Sequence, residues 1–249
     1  MNKTFCKKSN FINFRFAGCL ILFNVSFLSC GLDTFYEIKE PQIGDNEPSW
    51  DISTQDQQYF QFKTNEENQP DSITFLGTEV YYKIYNKTST EASSIISSAS
   101  NDSTSDQSAR RLIETYKYQP LRSSNDKGAN ILIPQTGTNR IIRIQLSDYP
   151  EFPAEFSIYT NSDERTKLGV PVRSIPNNPT FNFKDLIGTS NLPKYTETEK
   201  DDDYGYSSTS EEIKEYYVYM FAVSVGHDIF YSRIYSPAVY LGSVKISLE

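Results

Sequence analysis

Histidine is nearly missing from this chain: it occurs once in 249 residues, beside three cysteines, two methionines and one tryptophan. A single imidazole cannot build a histidine-based metal centre, and no serine sits in the glycine pattern of a nucleophile elbow. Phosphate-loop, dinucleotide-binding and zinc-protease patterns are missing as well. Basic residues are scarce, 24 Lys plus Arg against 32 Asp plus Glu for a net charge of -8. That argues against a nucleic-acid partner, because neutralising phosphates demands basic surface. No apolar run reaches the roughly 20 residues of a spanning helix. A mean hydropathy of -0.54 excludes a multi-span membrane protein. Aromatic residues are plentiful, with 18 Tyr and 16 Phe. With 37% hydrophobic and 22% charged residues, the composition is that of a globular chain able to bury a real core.

Residues 1–15 carry Lys3, Lys7, Lys8 and Arg15 with no acid, and Phe16 to Ser29 is dominated by Phe, Leu, Ile and Val, weakened by Gly18 and Asn24. A basic start followed by a short apolar stretch is the layout of a secretory signal peptide. It runs into Phe27-Leu28-Ser29-Cys30-Gly31, with a small residue directly before a cysteine. This segment resembles the lipobox of bacterial lipoproteins. Strict boxes place Leu three residues and a small residue two residues before the Cys, where this chain has Phe27 and Leu28; the looser spirochaetal box is similar. Cys30-Gly31-Leu32-Asp33-Thr34-Phe35-Tyr36 looks like the mature start of treponeme-type lipoproteins.

The resemblance implies that residues 1–29 are removed and that Cys30 is the lipid-attachment site, carrying a diacylglyceryl thioether and further acyl chains such as palmitate. It implies a membrane as partner and a cell-envelope location, with the outer membrane or cell surface favoured, since Gly31 stands where some bacteria place an inner-membrane retention Asp. Loss of residues 1–29 would take Cys6 and Cys19 and leave Cys30 without a disulfide partner. It would also remove four basic residues of 24 and no acid, leaving 20 against 32 and a net charge of -12. Attachment would therefore come from lipid, not from a polybasic patch.

Residues 30–57, with Pro41, Gly44 and Pro48 among acids and amides, read as a lipidated tether with one edge strand. Trp50 is expected to pack on the body. Residues 58–249 read as one β domain. Period-two alternation marks strands at Phe60 and Phe62, at Val80, Tyr82 and Ile84, at Ile142, Ile144 and Leu146, and at Val244, Ile246 and Leu248. Shorter strands are expected at 130–133, 155–159, 170–175, 180–183 and 238–241, and Tyr216 to Val225 reads as a central strand covered on both faces. Between strands the period changes to 3.6: Ala92, Ile95, Ile96 and Ala99, then Ala109, Leu112, Ile113 and Tyr116. Capping signatures at Thr88 and Ser103 complete a helical hairpin over 88–117, turning at Asn101-Asp102. The expected fold is thus mainly β, an antiparallel sandwich with an inserted helical hairpin.

Gly77 to Tyr85 is similar to the third strand of fibronectin type III domains and Tyr217 to Val223 to the sixth, with Tyr235-Ser236-Pro237 leading into the last. Two departures stand out: Phe62 takes the place of the usual Trp, and 131 residues separate Tyr85 from Tyr217. The resemblance implies an immunoglobulin-like or fibronectin-like sandwich of the kind used for adhesion and spacing.

His227 is expected in a turn after the central strand, and no catalytic residue or cofactor is assigned. The acidic, Tyr-rich loop 188–212 holds the remaining candidates. Asp201, Asp203, Ser207 and Thr209, with Glu212 at the twelfth place, imitate a calcium loop, but Gly205 falls at the fifth place instead of the sixth. A solvated charge run is the plainer reading, and no metal is assigned. Tyr195, Tyr204 and Tyr206 among Ser, Thr and Gly form a possible ligand-binding surface for a protein or glycan partner. The functional expectation is a lipid-anchored, non-catalytic binding or spacer module. The alternatives are a structural component of an envelope assembly and a carboxylate-based glycan-active enzyme.

Overall fold

The computed structural model describes residues 37–45, 58–87, 89–101, 106–128, 131–146, 154–160, 165–175, 180–181, 202–205 and 215–247. Cys30, Trp50, Tyr195, Asp201, Tyr206 and Glu212 lie outside them, as do the signal segment and both expected capping residues, Thr88 and Ser103.

Alternation builds the first sheet. Phe60 and Phe62 of β2 (Tyr59–Lys63), Ile142 and Ile144 of β7 (Ile141–Gln145), and Phe156 and Ile158 of β8 (Glu155–Tyr159) all turn inward. With β1 (Gln42–Ile43) and β9 (Arg165–Gly169) the order is β1-β2-β7-β8-β9, antiparallel throughout. The second sheet centres on β12 (Glu215–His227). It pairs antiparallel with β3 (Thr74–Tyr85), from Tyr217 opposite Tyr85 to His227 opposite Thr74. Its other side takes β13 (Arg233–Tyr235) and β14 (Val239–Ser247), also antiparallel. The far side of β3 receives three short pieces: β4 (Gln119–Pro120), β6 (Ile133–Pro134) and β11 (Tyr204–Gly205), the last of them parallel. A separate two-stranded ladder joins β5 (Arg122–Ser123) to β10 (Pro171–Val172).

The fold is an antiparallel β-sandwich. One sheet runs β1-β2-β7-β8-β9, and the other places β12 between β3 and β14. The two stretches likened to a third and a sixth strand are direct neighbours. Between the sheets lie Phe60, Phe62, Ile144 and Phe156 from one side and Val80, Tyr82, Val218 and Met220 from the other. Fully burying each such side chain contributes roughly 1.5–3 kcal/mol. Met220 lies opposite Gly242 while Phe221 lies opposite Tyr240, so Leu241 is an extra residue; this bulge lets both Leu241 and Val244 point inward.

The opposite face of the second sheet is covered too. Tyr217, Tyr219, Phe221 and Val223 of β12 meet Ala92 and Ile95 of α1 (Thr90–Asn101) and Ala109 of α2 (Gln107–Arg110). Leu112 joins them from the π-helical turn Arg111–Thr115 into which α2 continues. This third layer explains why a strand with no polar alternation forms: neither face of β12 meets water.

Several boundaries differ from the sequence reading. Ile38 is 1% exposed and packs on Ile73, Phe75 and Ile234. Gly44 donates its N–H to the Gln61 carbonyl at 3.2 Å. The body therefore begins by Glu37, inside the stretch expected to be tether. His227 ends β12 opposite Arg233 and Thr74 instead of lying in a turn. Asn101, expected at the turn, is still helical, and Asp102 lies outside the described residues. The strand expected over 170–175 shrinks to β10, where Pro171 has no N–H to extend a ladder; Thr180 makes only an isolated bridge to Val172.

Candidate functional site

Two buried polar groups, one outer-face cluster and one exposed loop tip distinguish the molecule. The most buried group is an ion pair. Arg173 and Asp203 have side chains at 0% exposure. The guanidinium grips the carboxylate at two points, Nε to Oδ2 at 2.8 Å and Nη2 to Oδ1 at 2.7 Å, the fork geometry that makes such pairs strong. Tyr82 donates its hydroxyl to Asp203 Oδ2 at 2.7 Å and accepts the Ser174 N–H at 2.7 Å. Burial, and then the Asp203 charge, hold the Tyr82 phenol well above its ordinary value of 10.0. Backbone geometry fixes this node: the Asp203 carbonyl accepts the Ile84 N–H at 2.9 Å, just as β11 begins its parallel pairing.

A second node closes the end of the sandwich from which β3 starts. Glu66, 9% exposed, accepts Nη2 of Arg140 at 2.8 Å on one oxygen, and the N–H groups of Thr136 at 2.5 Å and Gly137 at 2.9 Å on the other. Arg140 also donates to the Pro134 carbonyl. Asn139 accepts the Glu66 N–H at 2.6 Å, and Gln69 donates to the Lys39 carbonyl at 2.9 Å while accepting the Lys39 N–H at 3.0 Å. One loop, residues 64–73, thereby ties the chain entry to the 134–140 turn.

On the helix-covered sheet, Glu79 is 3% exposed and accepts both the Tyr81 hydroxyl and, at 2.8 Å, a guanidinium N–H of Arg233. Tyr81 is pushed upward by burial and by the Glu79 charge beside it. Arg233 lies over the Tyr235 ring, 5.5 Å from its centroid. Beyond Arg233 the polar character stops. Ile229, Phe230 and Tyr231 are 61%, 76% and 84% exposed at the tip joining β12 to β13.

Of the sequence-derived candidates, Tyr204 is corrected. It is 5% exposed in the core between the sheets, its ring 6.1 Å from that of Tyr216. The parallel pairing beside Ile84 turns it inward, away from the surface. Asp203, expected as a solvated acid or weak calcium ligand, has its carboxylate committed to Arg173 and Tyr82. Asp201, Glu212, Tyr195 and Tyr206 fall outside the described residues. Among the described residues no group of three His, Cys, Asp or Glu side chains stands ready for a metal ion, and no helix is long and apolar enough to cross a membrane.

The tip itself was legible in principle. Three bulky residues stand between Asp228 and Ser232, where a turn is ordinarily polar. Among the described residues, the tip presents three consecutive large apolar side chains to solvent. No family model, curated protein or solved structure matches the chain.

Proposed function

We propose that this is a lipid-anchored, non-catalytic envelope lipoprotein of spirochaetal type, whose sandwich serves as a binding or spacer module for a protein or glycan partner. The observation that carries the reading is the run from Lys3 to Cys30: a basic start, a short apolar stretch and a small residue before the cysteine. Each buried acyl methylene contributes about 0.8 kcal/mol, so several chains on one Cys make a lasting anchor. Supporting it, Ile38, eight residues after Cys30, is already buried in the body. A sandwich braced by internal ion pairs also suits a rigid element that holds a surface at a fixed place.

Cys30→Ala is expected to abolish incorporation of labelled fatty acid in the producing cell; label retained by the variant would remove the anchor. The Tyr-rich loop is tested separately. Residues 202–205 belong to the sandwich, so the informative deletion is 189–200, which spares Asp203 and Tyr204. Capture of a protein or glycan partner should fall at least about tenfold if Tyr195 and its neighbours make the contact, as loss of a single aromatic hot spot would give. Unchanged capture would count against that loop.

A further inference from the structure

The tip from Asp228 to Ser232 is a built projection, not a frayed turn. Asp228 Oδ1 accepts the N–H groups of Phe230 and Ser232, each at 2.8 Å. Its own N–H reaches the Ser232 carbonyl at 3.1 Å, and the Tyr231 N–H reaches the Asp228 carbonyl at 3.0 Å. Tyr231 is held at φ +61°, a left-handed conformation rare for a bulky residue. The loop thus satisfies its own polar backbone while it presents three apolar side chains outward.

Its position matters as much as its composition. Among the described residues the large hydrophobics that stay exposed are Ile43, Ile141, Ile229, Phe230 and Tyr231. Ile43 and Ile141 lie opposite Phe62 and Lys63, at the end of β2 that leads into the 64–73 loop. All five therefore gather toward one end of the sandwich. The chain enters at that same end, since Ile38 packs against Ile234, two residues past Ser232. Seven peptide steps separate Cys30 from Glu37, which fully extended reach at most about 25 Å. An anchor at Cys30 would hold this end, and no other, against the headgroups.

We propose that the Asp228–Ser232 tip is a second, non-covalent membrane contact, inserting Ile229, Phe230 and Tyr231 into the headgroup boundary of the bilayer that holds the acyl chains. This rests on the reading of Cys30 as acylated. Tyrosine settles at that depth, with the ring among the acyl ends and the hydroxyl in water. With 20 basic against 32 acidic residues left after loss of residues 1–29, the contact is apolar in origin and zwitterionic lipid is sufficient.

The test uses full-length acylated protein in phosphatidylcholine vesicles, with Trp50→Phe as background and a single reporter, Phe230→Trp. Lipids brominated near the glycerol should quench that reporter at least about twofold more than a Lys127→Trp reporter, because only an inserted residue meets them. Adding Ile229→Asp and Tyr231→Asp should abolish the difference while the protein still floats with the vesicles. Flotation without quenching at position 230, or quenching of this reporter by aqueous iodide, overturns the membrane contact and leaves the anchor standing; the tip would then face a protein partner. Equal quenching at 127 and 230 overturns it as well. Failure to float removes the anchor, and the tip contact with it. Phe230 and Lys127 are both exposed, so neither reporter disturbs the core.

Discussion

Replacing Arg173 by Ala is expected to lower the free energy of unfolding by about 3–5 kcal/mol, because it strands the Asp203 carboxylate in a water-free site. Asp203→Asn should act in the same direction by leaving the guanidinium uncompensated. Tyr82→Phe should cost less, about 1–3 kcal/mol, since Asp203 keeps its ion pair, although two hydrogen bonds, to Asp203 and from the Ser174 N–H, are lost. The double variant Arg173→Leu with Asp203→Leu should be closer to wild type than either single charge deletion, because no unpaired charge remains. Urea denaturation of the four variants measures this directly. A loss below about 1 kcal/mol for Arg173→Ala would be the value of an exposed pair, and would mean that the node is solvated.

Alkaline pH should unfold the protein well before exposed tyrosines alone would require it. Five phenols are shifted upward, each with burial as the first cause. Tyr216 is pushed up to about 12, as is Tyr217, where the Glu215 acceptor adds to burial. Tyr81, Tyr82 and Tyr235 also lie above the ordinary 10.0. In the folded state these groups keep their protons, and in the unfolded chain they release them near pH 10. Their contribution to stability is whole below pH 10 and is lost as the pH climbs from there, for Tyr216 and Tyr217 through about 12. Absorbance at 295 nm should therefore show a cooperative late phase coincident with loss of circular dichroism. Smooth, non-cooperative titration of all 18 tyrosines would contradict the burial.

The strands that carry alternating apolar residues were legible from the sequence, and so was the doubly covered Tyr216 to Val225. The helical insertion was legible from its period at Ile95 and Leu112. What could not be read were elements made by tertiary contact alone. Arg165 to Gly169 has little apolar content and exists as a strand because it completes the edge beside β8. Tyr204 and Gly205 form a strand only because β3 offers a free side; Gly205 fits there since a Cβ would stand 2.2 Å from the Tyr85 ring. The same blindness affected the candidate sites. Asp203 in a run of acids looks solvated until Arg173, 30 residues away, is brought against it. Ile38 looked like tether because its partners, Phe75 and Ile234, lie far along the chain.

The ladder between β3 and β12 joins residues 74–85 to 215–227. Its closure must therefore wait until β12 exists, and the entropy of that long loop is lost before any contact across it forms. The pieces β4 and β6 can reach β3 sooner, but its longest ladder is the last to form. Ladders that join such distant segments fold slowly, so refolding from urea should lag behind that of a helical domain of similar length.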